Sequence, residues 1–284
     1  MRLKSLTSDG YNTLLGFLLS DGYTIEAVYY AQTLCISSQV GCLVGCPFCL
    51  SGSKGLFRNL SFEEIISQYH LAPKTLEIKR IAFAGIGEPL MNLNQVELAT
   101  EHFRKLGLGV SFYTSAHPVS MLYRLLNLPH KGVSISLHAS NEQTRSILVP
   151  KGPPIKELIE ILRSYLKNKT QRQKKRIRLA YVLIKGINDS EIDIRALGDI
   201  ALSLGVEVNL LKLNPAFGGY EKTTEENYEL AYKTLKSMGV RVILSNRYRT
   251  RECGGCGTLL VSQDPRFAQL NTQEVKPQRL QPPC

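Results

Sequence analysis

Short β-branched runs alternate with longer amphipathic segments through most of this chain of 284 residues. Apolar runs of this kind, bounded by turn residues, are typical of strands that a parallel sheet buries on both faces. A further strand is expected to lead into the cysteine-rich loop near residue 35, so about six or seven βα units are predicted. The pattern therefore favours an α/β fold, built as a full or partial (β/α) barrel, over an open sheet. The runs are "RIAFAG" (80–85), "GVSFYTS" (109–115), "GVSISLH" (132–138), "RLAYVLIKG" (178–186), "VEVNLLKLN" (206–214) and "VRVIL" (240–244).

Helix and turn signals support this organisation. Ser61 precedes Glu64 by three residues, the spacing of a capping box, and predicts a helix start. A second helix is predicted from an Asp189 cap to a stop at Gly205. Ahead of the first parallel strand, an S-D-G turn at residues 20–22 separates two apolar runs and predicts a short N-terminal β-hairpin.

Three regions are expected along the chain. With 43% apolar and 21% charged residues, the sequence can bury one large α/β core. We expect an N-terminal β-hairpin extension at residues 1–30 and a barrel domain at residues 31–261. Residues 262–284 are rich in Gln and Pro without periodicity, and this composition predicts a disordered tail.

Cysteine content indicates metal or redox chemistry. The first apolar run has six residues, too short for a secretory or membrane-spanning segment, so we expect a cytoplasmic protein without membrane contact. Thiols in the cytoplasm are normally kept reduced. The seven cysteines, clustered at 35–49 and 253–256 with one at 284, are therefore interpreted as functional and not as a disulfide framework.

Basic residues are concentrated in two stretches. The net charge is +11 and the isoelectric point is near 9.3. Residues 163–178 carry eight Lys or Arg and no acid, and "NRYRTR" (246–251) places three arginines around a tyrosine. These stretches are consistent with polyanion binding, and equally with a solvated helix end and loop.

Cys42, Cys46 and Cys49 follow the pattern C-x3-C-x2-C. Three thiolates leave one iron of a [4Fe-4S] cube open for a substrate or cofactor. The pairs at 46–49 and 253–256 could instead form a four-thiolate zinc site. Phe48 before the last cysteine, and the expected position at the mouth of a barrel, favour the cluster.

With an aromatic residue before its last cysteine, this motif is the signature of the radical S-adenosylmethionine (SAM) superfamily. The chain from about residue 14 to 261 further resembles the RlmN/Cfr family of radical SAM RNA methyltransferases, without the family's usual N-terminal accessory domain. The resemblance implies a radical SAM barrel, a [4Fe-4S] cluster, SAM, a ribosomal or transfer RNA substrate, and an electron donor such as flavodoxin or ferredoxin. The motifs are "CISSQVGC", "FRNLSFEEIISQ", "GIGEPLMN", "SISLHASNEQTRSILVP", "GINDS", "VNLLKLNP" and "CGTL".

The family's cofactor residues fall on matching positions here. Gly87 and Glu88 resemble the SAM-contacting pair: a glycine lets backbone approach the methionine moiety, and a carboxylate can accept from its ammonium group. The remaining contacts are expected at the carboxyl ends of strands, where barrel enzymes build their sites. They are Ser115, Ser136, Leu137, His138 and Asn214.

The resemblance also implies a pair of reactive cysteines. Cys256 matches the cysteine that becomes S-methylated, Cys35 the cysteine that later attacks it, and Glu26 the proton acceptor. A carbon of adenine is not nucleophilic enough for polar methyl transfer from SAM, whereas a thiolate is. Cys253 is the competing candidate, but the following "GTL" fits only Cys256.

Two other hypotheses remain open from the residues. One is a divergent radical SAM enzyme that does not methylate RNA and acts on a peptide or small molecule. The other is a zinc-stapled RNA-binding protein without catalysis, which leaves "GIGEP" and "SISLH" unexplained. The connection from Glu26 to Cys35 is shorter than the family's, and "TRECGGCG" replaces an acidic run before Cys256.

Overall fold

A computed structural model describes residues 1–214, 218–244, 248–255 and 257–259. Within these ranges the strands are β1 (Arg2–Ser8), β2 (Asn12–Leu18), β3 (Thr24–Tyr30), β4 (Thr33–Ile36), β5 (Gln39–Gly41), β6 (Leu56–Asn59), β7 (Arg80–Phe83), β8 (Gly109–Thr114), β9 (Gly132–Ser136), β10 (Ile177–Leu183), β11 (Glu207–Lys212) and β12 (Val242–Leu244). The helices are α1 (Phe62–His70), α2 (Leu93–Lys105), α3 (Leu122–Asn127), α4 (Glu142–Leu148), α5 (Ile155–Leu166), α6 (Gln171–Lys174), α7 (Glu191–Leu204) and α8 (Glu225–Ser237).

Ten of the described strands form one sheet in the order β1-β2-β3-β4-β7-β8-β9-β10-β11-β12. From β4 through β12 every neighbouring pair in this sheet is parallel. In the described residues no pairing joins the edge strands β1 and β12. The predicted α/β fold is confirmed, and it is a partial barrel. Strands β5 and β6 form a separate antiparallel ribbon.

The predicted strand runs all contain strands, and the helix starts follow the capping signals with one exception. Ser61 and Glu64 form the predicted capping box of α1. Asp189 is not the cap of α7: Ser190 accepts from the Asp193 amide, and the helix begins one residue later than the predicted cap implied. Asp189 instead accepts hydrogen bonds from the Gly186 amide and the Thr223 hydroxyl, because its side chain faces the preceding turn.

The N-terminal hairpin is present and belongs to the main sheet. Strands β2 and β3 pair from Asn12↔Tyr30 to Leu18↔Thr24 around the S-D-G turn. Strand β1 adds a third antiparallel strand, and β3 pairs with β4, so the sheet continues from the hairpin into the barrel. A domain boundary near residue 30 stays a prediction. The predicted tail at 262–284 lies outside the described residues.

The two faces of the barrel sheet differ sharply. On β8, Val110 and Phe112 are buried in the core against the helices, whereas Ser111 is half-buried and Tyr113 is 37% exposed. Because paired residues project to the same side, the alternation can be followed across the sheet. We call the side away from the helices the inner face. Its positions include Cys35, Ala82, Ser111, Tyr113, Ser134, Ser136, Arg178, Ala180, Glu207 and Asn209.

This inner face is mostly small or polar, unlike the packed interior of a closed eight-stranded barrel. Tyr113 and Asn209 are partly exposed on this face. Nearer the carboxyl ends of the strands, the inner-face residues Val182 and Leu211 are buried against Val44 of the cysteine loop. The inner face thus combines partly exposed polar positions with an apolar contact to the loop. None of the helices in the described ranges has the length and apolar character needed to cross a membrane.

Candidate active site

The loop that carries the cysteine triad projects from the β5–β6 ribbon. The Cys42 amide donates to the Gly55 carbonyl at 2.9 Å, and the Cys49 amide donates to the Cys46 carbonyl at 3.0 Å. Gly41 has φ +79°, and a Cβ there would lie 2.1 Å from the Gly55 carbonyl oxygen. Glycine is therefore required where the two sides of the loop approach each other.

Burial raises the pKa of Cys42 to about 12, and the nearby Cys49 adds to that rise. The pKa of Cys46 is also raised, by burial first and then by Cys49 and Cys42. The three thiols are close enough for their charges to act on one another. Three cysteines on one loop can each ligate one iron of a [4Fe-4S] cluster and leave the fourth iron open. They would lose their protons when iron binds.

Cys253 lies in a different environment from the triad. Its amide donates to Asp9 Oδ2 at 3.2 Å, and its side chain is buried. Burial, followed by the charges of Asp9 and Glu252, raises the pKa of its thiol. Cys253 is therefore held against the turn between β1 and β2 through Asp9.

Gly87 and Glu88 lie in the turn after β7. Gly87 has φ +107°, and a Cβ would lie 2.6 Å from the Gln39 side chain. The Glu88 carboxylate is buried. One oxygen accepts from the Leu90 amide and the Thr114 hydroxyl, and the other accepts from the amide and hydroxyl of Ser115 at 2.7 and 2.6 Å.

The hydrogen bonds to Glu88 use nearly all of the acceptor positions that a carboxylate offers. Burial raises the pKa of Glu88, and the hydrogen bonds from Ser115 and Thr114 oppose that rise. The carboxylate thus joins the ends of β7 and β8 and orients Ser115. Its expected contact with the ammonium group of SAM stays a prediction.

The buried side chain of Arg145 holds the ends of neighbouring strands together. Its guanidinium is buried and donates to the backbone carbonyls of Ser136, Leu137 and Ser115, the last two at 2.7 and 3.2 Å. Burial lowers the pKa of Arg145 to about 10, so it remains a cation at neutral pH. One buried cation therefore connects three expected SAM contacts. Asn214 is buried after the end of β11.

His138 is held neutral at the end of β9. Burial lowers its pKa to about 3, and the charges of Arg145 and Arg249 contribute. The Val182 amide donates to His138 Nδ1 at 3.1 Å, which fixes that nitrogen as an acceptor. The ring of Phe48, from the cysteine loop, packs edge-on against the imidazole with centroids 5.4 Å apart. The loop thus contacts the expected SAM site directly.

Cys35 and Glu26 share one side of the sheet. Cys35 pairs with Val28 and lies on the inner face of β4. Glu26 is two residues before Val28 on β3 and therefore projects to the same side, where its side chain is buried. The sheet thus brings together these two predicted residues.

Cys256 lies outside the described residues, but both residues beside it are described. Gly255 packs on Val28, the cross-strand partner of Cys35: a Cβ on Gly255 would lie 2.3 Å from Val28 Cγ2. On the other side, the Gly257 carbonyl accepts from the Leu50 amide at 2.8 Å, next to Cys49. The described neighbours of position 256 therefore contact the strand beside Cys35 and the cysteine loop.

Sequence reasoning missed Thr114 and Arg145 as parts of the site. Thr114 stands directly before Ser115 in "FYTS", and Arg145 stands within "SNEQTRSILVP". Both residues lie inside motifs that carry the family resemblance, but nothing in the sequence indicates that their side chains hold the site together. Their partners are backbone carbonyls and a carboxylate from other strands, which become neighbours only in the fold.

Known proteins match this chain in sequence and structure. The model of the Radical SAM superfamily matches residues 36–197. A relative from Lawsonia intracellularis, "Dual-specificity RNA methyltransferase RlmN", is 35% identical over 279 residues, covering 89% of this chain and 76% of its own. The chain belongs to the RlmN family of radical SAM RNA methyltransferases. A relative from Nitrosopumilus maritimus, "Ribosomal RNA large subunit methyltransferase N", is 31% identical, covering 89% of this chain and 78% of its own.

A solved structure agrees with this family membership. The crystal structure of a radical SAM methyltransferase from Sphaerobacter thermophilus has a TM-score of 0.82 and 31% identity, covering 92% of this chain and 80% of that one. Members of the superfamily use a [4Fe-4S] cluster and SAM, and these are the cofactors of this enzyme. The triad of thiols described above suits the cluster.

Proposed function

We propose that this enzyme methylates a carbon of adenine in ribosomal or transfer RNA by way of a methyl group carried on Cys256. The observation that carries the proposal is the placement of the two described residues on either side of that position. Gly255 packs on Val28, the strand partner of Cys35, and the Gly257 carbonyl accepts from the Leu50 amide, next to Cys49. These contacts support a role for Cys256 together with Cys35 and the cysteine loop.

When bound, the cluster and SAM supply a methyl group and a radical that removes hydrogen from it. Cys256 would accept the methyl as a thiolate and present it to the adenine on the inner face. Glu26 would remove the proton from the modified carbon, because its carboxylate projects to the same side as Cys35. Cys35 would then attack the sulfur of Cys256 and form a disulfide, so that the carbon–sulfur bond to the RNA breaks and the released carbon takes a proton to become the methyl group. The single electron left by the radical addition would pass back to the external electron carrier.

The expected SAM contacts are Gly87, Glu88, Ser115, Ser136, Leu137, His138 and Asn214. Arg145 supports this assignment, because it donates to carbonyls of three of them. A neutral His138 would act as a hydrogen-bonding or packing group and not as a second cation. Reduction requires an external electron, for which we propose a cytoplasmic flavodoxin or ferredoxin. We further propose that the enzyme acts on its RNA in the cytoplasm.

Labelled SAM tests the proposal. Anaerobically reconstituted enzyme is incubated with reductant, bulk ribosomal and transfer RNA, and SAM carrying a trideuterated methyl group. Nucleoside mass spectrometry should show a methyladenosine that keeps two of the three deuterium atoms, because one is lost when the radical is formed. Retention of all three would indicate direct polar transfer and exclude the carrier thiol.

Two cysteine variants complete this test. Cys256→Ala should abolish methyladenosine, whereas the matched variant Cys253→Ala should retain it, because Cys253 is held beside Asp9. The reverse outcome would assign the carrier to Cys253. SAM cleavage without any RNA product would favour the divergent radical enzyme.

A further inference from the structure

An ion-pair cluster lies on the inner face near the amino-terminal ends of β10, β11 and β12. Arg178 on β10 and Arg241 just before β12 both contact Glu207, the first residue of β11. The two Nε atoms lie 3.3 and 3.4 Å from its two carboxylate oxygens. Two guanidinium groups around one carboxylate leave one net positive charge.

The terminal nitrogens of these arginines are available. Arg178 and Arg241 contact Glu207 through Nε, and their terminal nitrogens have no hydrogen-bond acceptor among the described residues. Their side chains are 34% and 43% exposed, whereas that of Glu207 is 12% exposed. The carboxylate thus fixes two arginines while both forks remain open to the interior.

Another arginine in the same protein shows what a structural ion pair looks like here. Arg58 donates through both terminal nitrogens to Glu64 at 2.7 and 2.8 Å and through Nε to Asp21 at 2.6 Å. All three guanidinium nitrogens of Arg58 donate short hydrogen bonds, as expected for an arginine that links secondary-structure elements. Arg178 and Arg241 make longer, single contacts and keep the geometry that binds a phosphate.

Strand register relates the cluster to the active site. Arg178 pairs with Ser134, and the next inner-face residue of β10, Ala180, pairs with Ser136. Two residues of strand correspond to about 7 Å. A base beside Ser136 would therefore leave the adjacent backbone of a single RNA strand within reach of Arg178.

We propose that Arg178 and Arg241, held by Glu207, clamp a phosphodiester of the substrate RNA next to the target adenosine. This rests on the proposed function and adds the contact that positions the RNA strand. The register, which puts Arg178 one inner-face step from Ser136, favours the substrate RNA strand over an acidic protein as the partner of the cluster. The rest of the basic stretch at 163–178 precedes β10 and lies outside the inner face.

Binding measurements without catalysis test the clamp. The probe is a fluorescein-labelled single-stranded oligoribonucleotide with one adenosine in a uridine run, and anisotropy is followed across a salt series in the presence of SAM. Arg178→Met and Arg241→Met should each weaken binding about tenfold and reduce the slope of log affinity against log salt by about 0.7. Arg195→Met, which removes an outer arginine paired with Glu191, should bind as the wild type does.

A second probe carries a neutral methylphosphonate at the linkage on one side of the adenosine. Two versions of this probe are made, one for each side of the adenosine. One of them should bind the wild type more weakly than the unmodified probe does, whereas Arg178→Met should bind that version and the unmodified probe equally. Arg178→Lys keeps the charge and loses the fork, so an intermediate affinity is expected. Retention of the wild-type melting temperature and SAM affinity separates loss of the clamp from misfolding, and Arg178→Lys provides the test if Arg178→Met does not fold.

The two proposals fail in different ways. If the interior variants bind the probe like the wild type, or if Lys175→Met shows the loss instead, the clamp is wrong and the proposed function is unaffected. If the wild type binds neither the probe nor bulk ribosomal and transfer RNA, both the proposed function and the clamp are wrong.

Discussion

The outer and inner faces of the same barrel strands have opposite characters. Phe112 is fully buried against Phe83, with ring centroids 5.5 Å apart, whereas its neighbours on β8, Ser111 and Tyr113, are partly exposed. Because buried and exposed side chains alternate along the strand, one backbone serves both the stability of the fold and the chemistry of the site. Apolar burial on the outer face stabilises the fold, and the inner face is left with the polar groups that chemistry requires.

The largest difference between the faces is expected from truncating Phe112. Phe112→Ala removes a fully buried ring and should lower the free energy of unfolding by about 3–5 kcal/mol. Urea unfolding monitored by circular dichroism measures the loss. The matched inner-face variant Ser111→Ala should change stability by less than about 0.5 kcal/mol. Equal losses in both variants would contradict the separation of tasks.

Arg145 lies where the two faces meet, so its removal should affect both stability and cofactor binding. Arg145→Met leaves the Ser136, Leu137 and Ser115 carbonyls without their donor and should cost about 2–3 kcal/mol. Calorimetric SAM affinity should fall with it. The control Arg124→Met removes an exposed arginine bonded to Glu97 and should cost less than about 1 kcal/mol. An unchanged SAM affinity in Arg145→Met would show that the arginine serves stability alone.

His138 gives a smaller, pH-dependent effect. Its folded pKa of about 3 lies below the ordinary value of 6.5, so below pH 6.5 the unfolded chain binds a proton that the folded chain does not. The stability from His138 is present above pH 6.5 and is lost as the pH falls towards 3, by about 1.4 kcal/mol per pH unit.

His138→Asn removes this titration while keeping an acceptor for the Val182 amide. Between neutral pH and about pH 5, urea unfolding should therefore show a steeper loss of stability for the wild type than for the variant. Parallel pH profiles for the two proteins would mean that the imidazole titrates normally in the folded state.

The sequence predicts the barrel strands well because burial of their outer face requires an apolar residue at every second position. The run at 109–115 was recognised in this way, and β8 follows it. Strand β1, "RLKSLTS", was not expected as a separate element because it lies at an exposed edge and has a weak apolar pattern. Its backbone pairing with β2 defines it, and such pairing is a property of two segments together.

The site was predictable only where a motif fixed the residues locally. Cys42, Cys46 and Cys49 lie in one loop, and their spacing together with Phe48 indicates a cluster. Arg145 donates to carbonyls on two different strand ends, and the clamp requires Arg178, Glu207 and Arg241 from three neighbouring segments. Nothing in their local sequence indicates these contacts, because parallel strands bring together residues that are far apart in the chain.

The central claim is the proposal that Cys256 carries the methyl group to the RNA and that Cys35 then releases the product. It is tested most directly by incubating Cys35→Ala with SAM, reductant and RNA and by analysing the protein by gel and peptide mass spectrometry. The expected result is a stalled protein–RNA adduct, sensitive to RNase, attached through Cys256 and absent from the Cys35→Ala, Cys256→Ala double variant. Release of methylated RNA by Cys35→Ala at the wild-type rate would contradict the account.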